Sequence, residues 1–201
     1  MEKIKKGLLW FFNSFIWLGI LALAVDIISK NIVMANMVEF DKGGEPIKLI
    51  PGFLQIKYTV NHGAAFSFGF GNDTANLIIY SIIACGAAIG IITYIVLKYN
   101  KTNKFVRAGL MLIVAGAIGN LIDRWFYPMH GVVDFIDFYG IWGAIFNFAD
   151  SFIVIAAFMF IFYFIYEEVK EHKENAEPKV EQEKAVSETE KENENKTDDV
   201  K

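Results

Sequence analysis

The chain has 201 residues, of which 54% are hydrophobic and 19 are phenylalanine, too apolar for an ordinary soluble domain. Its net charge of −4 is unevenly spread: 13 of the 23 acids but only 7 of the 19 lysines and arginines lie from Glu167 onward, leaving a slightly basic body and an acidic tail. The single cysteine, Cys85, excludes an internal disulfide and a cysteine-based metal cluster, and His62, His130 and His172 lack metal-ligand spacing, which argues against a zinc peptidase.

Four stretches approach the roughly 20 apolar residues that a helix needs to cross a bilayer core: Gly7–Val25, Leu77–Leu97, Phe105–Ile122 and Phe148–Tyr166. They predict a membrane all-α fold with four transmembrane helices. Lys3, Lys5 and Lys6 precede the first, Lys98, Lys101, Lys104 and Arg107 crowd the link between second and third, and Lys170 and Lys173 follow the fourth. The positive-inside rule then puts both termini in the cytosol and the two longer connections outside. "LALAV" (Leu21–Val25) resembles a signal-peptidase cleavage site, but the long apolar run and three further spans favour a retained anchor. "IIAC" (Ile82–Cys85) imitates a lipid-attachment box; lying inside a span, Cys85 reads as a packing residue.

In the first outer connection "QIKYTV" alternates polar and apolar residues, Asn61-His62-Gly63 suits a turn, and "FSFGF" puts Phe66, Phe68 and Phe70 on one face. A small β element is therefore expected at about residues 45–72. In the second, the apolar residues of "GVVDFIDF" imply a segment pressed against lipid or protein. Residues 1–166 form one membrane domain. Residues 167–201 lack the apolar surface that offsets ordering entropy and are expected to continue the last helix, fray, and end as a disordered cytoplasmic tail.

Against this background the polar residues stand out. Asp26 and Lys30 fall at the outer end of the first span, Asn120, Asp123 and Arg124 at that of the third, and Asn147 and Asp150 at the mouth of the fourth, with Asp134 on the outer connection. An ionised carboxylate costs about 2.5–3.5 kcal/mol at mid-membrane and less near an interface. Taken singly, each has a plain structural use: Asp26 and Lys30 as an i,i+4 ion pair, Asp123 and Arg124 as an interfacial pair, Asn61 as a turn residue, Asn147 and Asp150 as helix caps. Collected on one face, they point to a site. Two carboxylates in a partly dry pocket hold one proton between them, so that one activates water while the other donates to a carbonyl oxygen. Asp134 and Asp150 suit this best because neither has a base beside it; Asp137 rivals Asp134.

Four blocks carry a family resemblance: "DIISK" (Asp26–Lys30), "NHGAAFS" (Asn61–Ser67), "GAIGNLIDR" (Gly116–Arg124) continuing through "VVDF" (Val132–Phe135), and "FNFAD" (Phe146–Asp150). In these, over about residues 8–166, the chain resembles bacterial lipoprotein signal peptidase (signal peptidase II), an intramembrane aspartyl peptidase family. The resemblance implies four membrane helices with an extracytoplasmic β-cradle in the cytoplasmic (inner) membrane. It further implies cleavage of diacylglyceryl-modified prolipoproteins just before the lipidated cysteine. It assigns the catalytic aspartates to Asp134 and Asp150, and supporting roles to Asp26, Lys30, Asn61, Gly63, Phe66, Asn120, Asp123, Arg124 and Asn147. Ile27 stands where the family has glutamine, which removes one polar contact, and the charged tail exceeds the usual family length.

A lipid-anchored substrate would enter laterally, and "FSFGF", following Asn61, would close over it as a lid. Membrane lipids and prolipoproteins are the expected partners, with no nucleic acid, no cofactor and no metal, and four spans suffice for a monomer. The competing reading is a small ion- or proton-coupled transporter; against it, the polar residues cluster at one membrane face and do not run through the bilayer.

Overall fold

A computed structural model describes residues 2–63, 72–141 and 143–198, with side chains to position 173. Two compact units divide the chain, Met1–Phe160 and Ile161–Lys201. The described residues include five α-helices, a short 3-10 turn (Phe40–Lys42) and four strands: α1 (Glu2–Ser14), α2 (Ile16–Asn36), β1 (Ile47–Ile50), β2 (Leu54–Asn61), α3 (Asp73–Lys98), α4 (Lys104–Phe126), β3 (Val132–Asp137), β4 (Ile145–Phe146) and α5 (Phe148–Asp198). Four stretches are long and apolar enough to cross a membrane: Ile16–Lys42, Asp73–Lys98, Lys104–Phe126 and Phe148–Lys173.

The first span therefore begins later than the sequence predicts. Gly7–Ser14 belongs to a separate helix, and the break falls at Phe15, whose backbone is left-handed at φ 62°. Ser14 helps to end α1 by returning its hydroxyl to the Phe11 carbonyl at 2.9 Å. Neither proline nor glycine marks the break, so the apolar residues on either side read as one run. As a result Asp26 and Lys30 sit in the middle of α2 and not at its outer end. The last helix runs on through the charged tail to Asp198, where the sequence predicts fraying; glutamate, lysine and alanine are all good helix formers.

The third span, α4, lies at the centre. Asn103 caps it, its side chain accepting the Phe105 amide at 2.8 Å. Small residues line its buried sides, and they set how closely the neighbouring helices approach. A β-carbon on Gly116 would fall 2.5 Å from the Ala149 carbonyl, one on Gly109 2.7 Å from the Phe160 ring, and one on Gly119 against the Asp26 carboxylate. Ala22 of α2, Leu112 and Ala115 of α4 and Ala156 of α5 share one core cluster, and Ala88 and Ile95 of α3 meet Met111 and Val114 in another. The outward flanks stay apolar and exposed (Ile28, Ile82, Ile89, Phe158 and Phe162 among them), as lipid-facing helices require.

The strands form one antiparallel sheet ordered β1-β2-β3-β4. "QIKYTV" lies in β2, as its alternation predicts, but its hairpin partner precedes it: β1 turns into β2 through Pro51–Phe53, while Asn61-His62-Gly63 ends the strand. On its other edge β2 pairs with β3, Thr59 opposite Asp134 and Asn61 opposite Val132. Val132 to Phe135 is buried on both faces, the pattern of an interior strand, which explains its unbroken apolar run. Val133 and Phe135 pack with Val33 and Tyr58 beneath the sheet. Phe66, Phe68 and Phe70 lie outside the described residues.

Candidate active site

The end of the bundle beneath the sheet holds the polar residues. Lys30 is fully buried, and its ammonium reaches Asp26 at 2.8 Å, Asp123 at 2.7 Å and the Asn120 side-chain oxygen at 3.1 Å. A buried cation is tolerable only when so compensated. The two carboxylates reach onward in turn: Asp123 accepts the Val133 amide of β3 at 3.0 Å, and Asp26 accepts the Ala149 amide of α5 at 2.8 Å. One lysine thus ties α2, α4, β3 and α5 into a fixed arrangement. The pairing of Asp123 is with Lys30, not with its neighbour Arg124. Arg124 instead donates to the Gly63 carbonyl at 3.1 Å and lies 5.2 Å from the Tyr80 ring.

A chain of amides spans the two aspartates in front of this scaffold. Asn147 donates to Asp134 at 2.8 Å and to the Asn120 oxygen at 3.1 Å, and Asn120 donates to Asp150 at 2.8 Å. Asn61, at the end of β2, donates to the other Asp134 oxygen at 3.1 Å and accepts the Gly63 amide at 2.9 Å. Asp137, the rival of Asp134, is turned away: Gln55 donates to it at 2.7 Å. The three-residue offset along β3 puts the two on opposite faces.

Asn147 and Asp150 also cap α5. The Asn147 side-chain oxygen accepts the Asp150 amide at 2.9 Å, and the Asp150 carboxylate accepts the Asn147 amide at 3.4 Å, the reciprocal pairing of a capping box. Cap and site are the same atoms, so the two uses read from the sequence do not compete. Asp134 is 2% exposed. Burial, and then the nearby Asp150 carboxylate, push its carboxyl up to about 7, against the pull of the Asn61 and Asn147 amides. It therefore gains and releases its proton near neutral pH.

A family model described as signal peptidase (SPase) II matches residues 18–166. The chain belongs to the signal peptidase II family. Proteins named lipoprotein signal peptidase are similar across most of it. That of Desulfitobacterium hafniense (strain DSM 10664 / DCB-2) is 37% identical over 166 residues, covering 83% of this chain and 98% of its own. That of Pseudoalteromonas translucida is 39% identical over 179 residues, 86% and 99% of the two chains. Two structures of bacterial membrane enzymes solved by the in meso method superpose with TM-scores of 0.66 and 0.63 at 28% and 30% identity. They cover 79% and 77% of this chain and 91% and 94% of theirs. Signal peptidase II membership makes the protein a protease of lipoprotein processing, and its four apolar helices fit a multi-pass membrane protein.

Asp26, Lys30, Asn61, Gly63, Asn120, Asp123, Arg124, Asp134, Asn147 and Asp150 are all linked by the contacts above; Phe66 lies outside the described residues. Tyr80 and the amides of Val133 and Ala149 join them, and the sequence does not mark these. A tyrosine inside an apolar span carries no distinctive signal, and a backbone amide carries none at all. Among the described residues no three His, Cys, Asp or Glu side chains group as a metal-holding set.

Proposed function

We propose that the protein is an aspartyl endopeptidase in which Asp134 and Asp150 share one proton and one water, cleaving diacylglyceryl-modified prolipoproteins just before the lipidated cysteine. The observation that carries this reading is the amide chain Asp134–Asn147–Asn120–Asp150, which holds two carboxylates of different surroundings in one network. Asp134, whose carboxyl takes up its proton near neutrality, is the acid and Asp150 the base. The water oxygen attacks the scissile carbonyl as Asp150 takes a water proton, and Asp134 protonates the carbonyl oxygen to give a neutral diol. Collapse returns a diol proton to Asp134, and Asp150 delivers its proton to the leaving nitrogen, so both carboxyls regain their starting states.

Asn61 and Asn120 orient the two carboxylates, Lys30 with Asp26 and Asp123 fixes the helices that carry them, and Arg124 holds the Gly63 carbonyl at the start of the segment that includes Phe66. By the distribution of lysine, both termini are cytosolic and the sheet and site lie at the extracytoplasmic face of the inner membrane. There a substrate held by its own lipid enters from the bilayer, with Phe66 closing over it. Residues 1–166 suffice for this chemistry as a monomer without cofactor or metal, and the tail from Glu167 takes no part.

Asp134→Asn and Asp150→Asn, each purified and assayed on a diacylglyceryl-prolipoprotein, test the dyad. Each is expected to lose at least about a hundredfold in kcat, the lower range for a general acid or base, with folding retained. Full activity in both overturns the mechanism.

A further inference from the structure

The helix α1 takes no part in the polar network. Ile4, Leu8 and Phe12, at i, i+4 and i+8, line one flank of it and are 70%, 53% and 56% exposed. Lys3 and Lys6 lie on the other side of the helix, and Lys5 sits at the border. This is the pattern of a helix that lies in a membrane interface, apolar flank toward the acyl chains and basic residues toward the head groups. The left-handed Phe15 separates it from the span that follows.

What α1 touches points the same way. The Trp10 ring lies 6.1 Å from that of Tyr99, in the connection between α3 and α4, where Lys98, Lys101 and Lys104 are exposed. Arg107 stacks on the opposite partner of that pair, its guanidinium 4.3 Å from the Tyr99 ring and donating to the Tyr99 carbonyl at 2.8 Å. It is 5% exposed, and among the described residues no carboxylate pairs with it; its buried Nε–H has no acceptor. At about 1.5 Å per residue, Arg107 stands about 24 Å along α4 from Asp123, at the far end of the bundle from the aspartates.

We propose that α1 and the α3–α4 connection form a binding site for anionic phospholipid head groups, with α1 lying on the membrane through Ile4, Leu8 and Phe12. Six lysines, of which Lys6 also pairs with Glu2 at 2.9 Å, and a buried arginine with no carboxylate partner among the described residues supply the complementary charge, and Trp10 and Tyr99 occupy the depth at which aromatic residues meet the head groups. The site is independent of the cleavage chemistry.

The test uses the full chain in phosphatidylcholine vesicles containing a minor fraction of either brominated phosphatidylglycerol or brominated phosphatidylcholine. The Trp10 signal is the difference between the wild type and Trp10→Phe. The brominated phosphatidylglycerol is expected to quench it at least about twofold more strongly, a modest enrichment for basic residues at a surface. Replacing Lys3, Lys5, Lys6, Lys98, Lys101 and Lys104 by glutamine removes most of that preference while prolipoprotein cleavage in neutral lipid is unchanged. The wild type in 1 M salt gives the same loss without any substitution, since screening then acts within about 3 Å. Equal quenching by the two lipids in the wild type at low salt, or a preference that survives both the substitutions and the salt, overturns the proposal.

Discussion

Replacing Asp134 by asparagine separates what this side chain does for the reaction from what it costs the fold. Its carboxyl ionises near 7 in the folded chain and near 3.8 when free. Folded-state pKa is raised, so the protonated form is the one that folding favours. Stability is intact at low pH, begins to fall once pH passes the unfolded value, and declines until the folded value is reached. Each pH unit in that window is worth about 1.4 kcal/mol, so holding Asp134 ionised above pH 7 costs on the order of 4 kcal/mol. Asparagine carries no charge at any pH and escapes this cost, but it presents one acceptor to the Asn61 and Asn147 amides where the carboxylate presents two. The lost hydrogen bond costs about 1 kcal/mol. Asp134→Asn is therefore expected to be about 1 kcal/mol less stable than the wild type at pH 3, where the wild-type carboxyl costs nothing, and about 3 kcal/mol more stable at pH 8.5. Thermal unfolding in detergent should show this as a midpoint roughly 6–12 °C higher at the alkaline end, at about 2–4 °C per kcal/mol for a chain of this size. A difference in midpoint that does not change with pH refutes the argument that Asp134 is held protonated by its surroundings.

Lys30→Met leaves Asp26 and Asp123 buried without their cation and is expected to cost about 3–5 kcal/mol, read as a drop in thermal midpoint. Asn147→Ala removes the cap of α5 and the link between Asp134 and Asn120 together. It is expected to destabilise by about 1–2 kcal/mol and to lower kcat more than it raises KM in the prolipoprotein assay. Ending the chain after Lys170 is expected to leave kcat/KM unchanged, measured on the truncated protein in the same lipid.

The polar residues of this site were visible in the sequence because charged and amide side chains are costly in apolar surroundings, and Asp150 and Asn147 at the mouth of a span could hardly be overlooked. Which of them would meet was not visible. Asp123 sits beside Arg124 in the chain yet pairs with Lys30 from another helix, and only the approach of α2 to α4 across Gly119 decides that. The sheet was half legible. Alternation betrays β2, which has one face on the core, but β3 is buried on both faces and loses the alternation that would mark it as a strand. The start of the first span is hidden for a simpler reason: a left-handed phenylalanine leaves no trace in composition.

Asn147 has a consequence for how the molecule comes to be active. Its side chain cannot hold the Asp150 amide and the Asp134 carboxylate at once until the fourth helix has wound its first turn beside the finished sheet. On the proposed mechanism, the site is whole only once the first turn of the fourth helix rests against the sheet, so winding that turn and arming the two carboxylates are one event.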